Sequence, residues 1–319
     1  MIATRLTTLF GLRHPIVLAP MGGVSGGALA AAVSNAGGLG LVGGGYGDPA
    51  WLRTELAHVK AHTSKAWGVG FITWSVNRAI VDLALEFRPS AVMLSFGDPA
   101  PYVARVKSSG ARLICQVQDL EGARHAKDIG ADLIVAQGTE GGGHGGHRAT
   151  LPFVPAVVDL VAPTPVVAAG GIADGRGVAA ALMLGAEGAL LGTRFYAAEE
   201  ALGRAEAKQR IVDGRGEDTQ RTRIFDVVRR IAWPPQFPGR ALRNPFFERW
   251  HGREAELDGA TDAHAAFRAA TERGDYETAM VWAGEAIDLI RSVEGARALV
   301  ERIGTEAAAA LRRASALAR

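Results

Sequence analysis

Eleven residues, Gln137-Gly138-Thr139-Glu140-Gly141-Gly142-Gly143-His144-Gly145-Gly146-His147, hold six glycines and two histidines. Glycine lets backbone N–H groups come close to a planar or anionic ligand, and an imidazole in that setting can donate or accept a proton near neutral pH. The same composition suits a flexible surface loop whose histidines do no chemistry. Glu140, His144 and His147 also offer a metal reading, because two histidines three residues apart can share a face; no carboxylate pattern elsewhere supports it. Two further segments, Ala169-Gly170-Gly171-Ile172-Ala173-Asp174 and Leu191-Gly192-Thr193-Arg194-Phe195, have the character of phosphate-binding turns, in which glycines expose N–H donors to an anion. Tight turns without a ligand are the plain alternative.

Such loops need a frame. Short aliphatic or β-branched runs alternate with amphipathic helical stretches up to about residue 198, the pattern of βα units and a parallel sheet. The runs are 16–19, 39–42, 68–71, 91–95, 112–117, 133–136, 166–169 and 189–191, most of them apolar on both faces, as strands covered on both sides should be. Helices are predicted over 26–35, 49–62 (Asp48 as cap, Pro49 at the first position), 75–87, 99–109, 120–129 and 175–184 (capped by Asp174). Eight strands in this length predict a (β/α)₈ TIM barrel, with a doubly wound open sheet as the competing architecture. In a barrel, chemistry gathers at the C-terminal ends of the strands. That places Ala19-Pro20-Met21-Gly22-Gly23, the Gly/His segment and the two phosphate-type turns on one face, the turns following strands seven and eight.

The segment 203–271 breaks the rhythm. It is Arg-rich, carries Trp233-Pro234-Pro235 and Phe237-Pro238-Gly239, and shows no clear strand. It is read as a mainly helical subdomain after the eighth strand, which divides the chain into 1–203 plus 272–319 for the barrel and 204–271 for an insert on the substrate side. Helices are predicted over 276–291 and 296–314.

Composition narrows the function. With 48% hydrophobic and 21% charged residues the chain has a core, and its 41 glycines follow no collagen-like period. Thirty-five Lys and Arg against 33 Asp and Glu give +2, no footprint for nucleic acid or anionic lipid. One cysteine, Cys115, excludes an intrachain disulfide and fits a reducing cytoplasm. The apolar run 16–21 is too short for a membrane span or a signal peptide and is read as the first strand. The expected partner is a small molecule, and assembly into a homo-oligomer is left open.

Taken together, Ala19-Pro20-Met21, Gln137-Gly-x-Glu-x-Gly-Gly-His144-x-Gly, Ala169-Gly170-Gly171-Ile172 and Leu191-Gly192-Thr193-Arg194-Phe195, in that order, resemble the nitronate monooxygenases, formerly called 2-nitropropane dioxygenases. The resemblance covers most of the chain and extends to Phe237-Pro-Gly-Arg240-x-Leu-Arg243-Asn244 and Trp282-Ala-Gly284-Glu285. It implies an FMN-containing barrel that oxidises nitronates, or nitroalkanes, with O₂ to carbonyl compounds and nitrite, with His144 as the catalytic histidine. Ala19, Pro20 and Met21 would lie along the flavin ring, and Gly170, Gly171, Gly192 and Thr193 would hold its phosphate, beside Ala169. Gln137 and the glycines Gly141, Gly142 and Gly143 would border the ribityl chain and the substrate cavity. Three positions depart from the family pattern: Gly70 where many members have Asn, Gln116 near the flavin where many have Lys, and Gly141 where Ala is usual. An FMN-dependent enoyl-acyl-carrier-protein reductase or NAD(P)H:quinone reductase, and a flavin-binding module without turnover, are the rival expectations.

Simpler roles are expected elsewhere: helix caps for Asp98, Asp119 and Asp174, a buried apolar site for Cys115, an exposed helical face for His58 and His62. The arginines 221, 223, 229, 230, 240 and 243, interspersed with acids, are read as a solvated or inter-subunit face.

Overall fold

The computed structural model describes residues 2–317. Its eight parallel strands are Ile16–Leu18, Gly40–Gly45, Trp67–Ile72, Ala91–Ser95, Arg112–Val117, Leu133–Gln137, Val166–Ala169 and Ala189–Leu191, matching the eight predicted runs to within a few residues. Each pairs with its neighbour in order, and the eighth pairs with the first, Ile16 facing Ala189 and Leu18 facing Leu191. Leu18 N–H donates to the Leu39 carbonyl and Leu39 N–H to that of Ile16, both at 2.9 Å, which ties the first strand to the start of the second. The sheet therefore closes as a (β/α)₈ barrel, and the open-sheet alternative falls.

Two apolar layers hold it. Alternate strand residues such as Val17, Leu41, Met93, Ile114, Val135 and Val167 fill the interior, while Ile16, Val69, Val92, Ile134 and Leu191 face the helices. Leu6 and Phe10, from a helix over Arg5–Phe10 that the sequence did not suggest, join the interior cluster at the end where the strands begin. That end is sealed, so the cavity opens at the other. Asp48, Asp119 and Asp174 cap their helices as expected, accepting from N–H groups two or three residues on. Cys115 is buried, and its apolar surroundings push its thiol up to about 12.

One element was not predicted, and two expectations need correction. Residues Thr150–Val161 form a helix despite Pro152 and Pro155; the first proline lies in the opening turn, where no intrahelical donor is lost. The insert is not free of strands. Thr219–Thr222 pairs antiparallel with Gly239–Leu242, which in turn pairs with Gly143–His144. The helix predicted over 276–291 is absent apart from a 3₁₀ turn at Glu285–Leu289. Its backbone is engaged with neighbours: Leu242 N–H donates to the Val281 carbonyl, Gly284 N–H to Thr193 Oγ1, and Glu285 N–H to the Glu140 carbonyl.

The insert has its own small core of Ile224, Phe225, Val228, Phe246, Phe247, Trp250, Leu257 and Phe267, against which Met280 and Trp282 pack. The last helix, Ala296–Leu317, lies on the barrel; Glu306 Oε2 accepts from Gly175 N–H at the start of the seventh crossover helix.

Candidate active site

A cavity of about 720 Å³ opens at the C-terminal ends of the barrel strands, within the usual range for small-molecule sites. Its lining brings together His144 and all twelve residues expected around a cofactor: Ala19, Pro20, Met21, Gln116, Gln137, Gly141, Gly142, Ala169, Gly170, Gly171, Gly192 and Thr193. His147 is exposed and does not line it. Glu140 is occupied elsewhere, accepting from Thr150 N–H and Oγ1, so Glu140, His144 and His147 do not converge on a metal.

The last two strands end in free donors. Gly170 and Gly171 have φ of +101° and +69°, a conformation that a side chain would strain. The N–H groups of Gly171, Gly192 and Thr193 donate to no other described residue. A Cβ built on Gly192 would meet only Ala19 Cβ at 3.5 Å and Met21 Sδ at 3.6 Å. Unpaired backbone donors facing a cavity are what a phosphate requires.

Of the positions that depart from the family pattern, Gly70 has a steric reason, Gln116 a hydrogen-bonding role, and Gly141 neither. A Cβ at Gly70 would fall 2.3 Å from Pro20 Cγ, so the Pro20 ring occupies the space a larger residue would need. Gln116 Nε2 and Gln118 Nε2 both donate to Gln137 Oε1, at 3.2 and 2.8 Å, and Gln137 Nε2 donates to the His144 carbonyl at 2.9 Å. Gln116 thus begins a chain of amides that ends on the backbone of the histidine. At Gly141 a Cβ would have only ordinary contacts, from 3.4 Å outward, so alanine would fit.

The insert supplies what the sequence reading missed. Gly239 pairs with His144, so the strand Gly239–Leu242 carries the histidine loop as the edge of its sheet. Arg221, read as a surface charge, is largely buried and donates to the carbonyls of Thr139 (2.8 Å), Gly141 (3.3 Å), Gly143 and Gly145 (both 3.4 Å) and to that of Pro238 at 2.6 Å. Burial brings its guanidinium down to about 10. Arg240 donates to Thr139 as well and pairs with Glu285. The glycine loop, which has little side-chain packing of its own, is therefore held through its carbonyls.

Around the imidazole the insert is aromatic and charged. Trp233 lies flat against the His144 ring, centroids 3.5 Å apart and planes 5° from parallel. Trp233 Nε1 donates to Tyr46 Oη at 2.8 Å, and Phe96 packs edge-on against the same indole. His144 Nε2 is 3.0 and 2.9 Å from the two carboxylate oxygens of Asp226, which is 3% exposed. Arg229 Nη2 donates to Asp226 Oδ1 at 2.8 Å, and the Arg229 side chain lines the cavity. Desolvation lowers the imidazole pKa, Asp226 opposes that, and Arg229 and Arg221 add to it. The arginines thus divide: 221, 229 and 240 serve the site, while 223 and 230 are exposed and 243 pairs with Glu248 on the surface. The only sequence signal for Asp226 was a lone acid among arginines.

Comparisons with known proteins show similarity along nearly the whole chain. The family model described as nitronate monooxygenase matches residues 3–75 and 71–306. A nitronate monooxygenase of Neurospora crassa is 32% identical over 99% of this chain and 95% of its own. A (3aS,4S,5R,7aS)-5-hydroxy-7a-methyl-1-oxo-octahydro-1H-indene-4-carboxyl-CoA dehydrogenase of Mycobacterium tuberculosis is 31% identical over 99% of both chains. The structure of FabK from Thermotoga maritima superposes with a TM-score of 0.88 at 32% identity, covering 99% of this chain and 100% of that one. The match along nearly the whole chain and the cavity at the strand ends lead to one assignment: this chain is a flavin-dependent oxidoreductase of the nitronate monooxygenase family.

Proposed function

We propose that the chain is an FMN-dependent enzyme that oxidises small alkyl nitronates with O₂ to carbonyl compounds and nitrite. The observation that carries this reading is the convergence of His144 and the two glycine turns on one cavity. In it, the free N–H groups at Gly171, Gly192 and Thr193 hold the terminal phosphate, Ala19, Pro20 and Met21 form the wall along the ring, and Gln137 and Gly141 border the ribityl chain. The bound flavin supplies the electron acceptor through which substrate is oxidised and O₂ consumed. The protein's share is to seat the substrate near His144, hold the nitronate charge by hydrogen bonding, and exclude water with Trp233, Phe96 and Tyr46. FMN is favoured over FAD because the donors end in a closed turn and no Gly-x-Gly-x-x-Gly dinucleotide turn follows the first strand. A cytoplasmic location is part of the same proposal; among the described residues no helix is long and apolar enough to cross a membrane.

The Mycobacterium tuberculosis relative favours a second reading, oxidation or reduction of an acyl-CoA thioester, because it matches over 99% of both chains. One experiment separates them. The absorbance spectrum of the pure protein is recorded during anaerobic additions of propyl-2-nitronate and then NADH. Bleaching by the nitronate, with nitrite formed on admitting air, is expected, and heat-released flavin should run as FMN. Bleaching by NADH alone, followed by reoxidation with an enoyl thioester, would replace the first reading by the second.

A further inference from the structure

A buried carboxylate is costly unless it is paired and hydrogen-bonded. Asp226 meets that condition with two partners from different parts of the fold, His144 Nε2 on both oxygens and Arg229 Nη2 on Oδ1. An ionised carboxylate only accepts, so Nε2 must carry the hydrogen. A neutral imidazole has one N–H, which leaves the lone pair on Nδ1. Trp233 flat on the ring and Gln137 on the His144 carbonyl fix the plane in which that lone pair lies.

We infer that Asp226 is the positioning residue of this site: it holds His144 in the Nε2–H tautomer, so that Nδ1 accepts the α-proton of a neutral nitroalkane. The inference rests on the nitronate reading for its substrate. In the step, the Cα–H bond breaks, an N–H bond forms at Nδ1, and the electron pair enters the C=N bond as charge moves to the nitro oxygens. The imidazolium so formed keeps its hydrogen bond to Asp226. The charged groups facing the imidazole are Asp226 and Arg229 on the helix Ile224–Arg229 and Arg221 on the neighbouring strand. Arg229 shares the Asp226 charge, so the carboxylate orients the histidine without holding it as a permanent imidazolium.

The test uses the flavin-loaded full chain and its Asp226→Asn and Asp226→Glu variants, with flavin content and circular dichroism confirming the fold. In ¹⁵N-histidine NMR, assigned through His144→Ala, wild type should show His144 as the Nε2–H tautomer at pH 7. Asp226→Asn should lose that preference. The kcat/KM on nitroethane should fall about 10²-fold or more in Asp226→Asn, as expected when a general base is mis-set. The value on preformed ethylnitronate should change less than about fivefold, because that proton is already gone. Asp226→Glu should recover part of the nitroethane rate. An Nδ1–H tautomer in wild type, or an equal loss on both substrates, would overturn the inference. A protein inert toward both nitro compounds would defeat the nitronate reading instead, and the tautomer would then decide the role of Asp226 alone. Should Asp226→Asn not fold, the wild-type tautomer and the Asp226→Glu rates decide it.

Discussion

The barrel and the insert meet at one cavity but bring different chemistry to it. The barrel contributes backbone and small apolar groups: Ala19, Pro20, Ala169, the Gly170-Gly171 pair and Gly192. The insert and the irregular segment 276–291 that follows it contribute charged and aromatic side chains: Asp226, Arg229, Trp233 and Trp282. Backbone donors fixed by a closed sheet suit a ligand that stays. Side chains on a separate small core suit one that comes and goes, because they can be exchanged without disturbing the barrel. The histidine stands between the two, on a barrel loop but paired into the sheet of the insert.

If this division of labour is right, the largest effect should come where the two regions join. His144→Ala should keep its flavin spectrum and lose about 10² to 10⁴ of its rate on neutral nitroalkanes. His147→Ala, on the exposed side of the loop, should change the rate by less than about threefold, on the order of a surface substitution. Equal behaviour of the two in steady-state assays would end the assignment of His144. The pH dependence sharpens it. A base acts when neutral, so kcat/KM on a nitroalkane should rise with pH through the imidazole pKa. Burial lowers that pKa from 6.5, which puts the acid limb below 6.5; an inflection above 7 would contradict the burial argument.

Next in size is the clamp between the regions. Arg221→Met would remove the closest donor to the carbonyls of Thr139 and Pro238, leaving each only a longer one from Arg240 and Gly145, at about 1.5–3 kcal/mol for each hydrogen bond from a charged donor. The thermal midpoint should drop by about 5 °C or more, and His144-dependent activity should fall with it. An unchanged midpoint would mean that the loop holds itself.

On the barrel side, Gly192→Val places a branched side chain on the cavity wall, where a Cβ makes only ordinary contacts with Ala19 and Met21. Filling a ligand's place at about 1–3 kcal/mol should weaken flavin retention about 10- to 100-fold, read as the flavin-to-protein ratio after dialysis. Full occupancy would put the phosphate elsewhere. The smallest effect is expected for Gly141→Ala, whose added carbon makes only ordinary contacts. Stability should stay within about 0.5 kcal/mol in urea unfolding, and a larger loss would show that the loop is tighter than its contacts suggest.

Legibility followed the source of each element's hydrogen bonds and packing. The barrel strands could be read because both faces are buried, which forces unbroken aliphatic runs such as Val166 to Ala169. Thr219–Thr222 could not, since Thr-Gln-Arg-Thr has no apolar alternation and becomes a strand only against Gly239–Leu242. Residues 276–291 have a helical apolar stripe, yet they form turns and an irregular stretch ending in a 3₁₀ turn, because Thr193, Glu140 and Leu242 take up backbone groups at Gly284, Glu285 and Val281.

By itself the sequence determined the barrel, the face on which chemistry would gather and the glycine turns there, because these depend on local periodicity and on residues that tolerate only certain backbones. Tertiary structure alone decided that Asp226, eighty-two residues from His144, would orient it, that Arg221 would pin the loop and that Trp233 would cover the ring. Such pairings leave no mark in local pattern: a buried carboxylate or guanidinium is spelled like an exposed one, and only the fold that removes water from around it makes its partner compulsory.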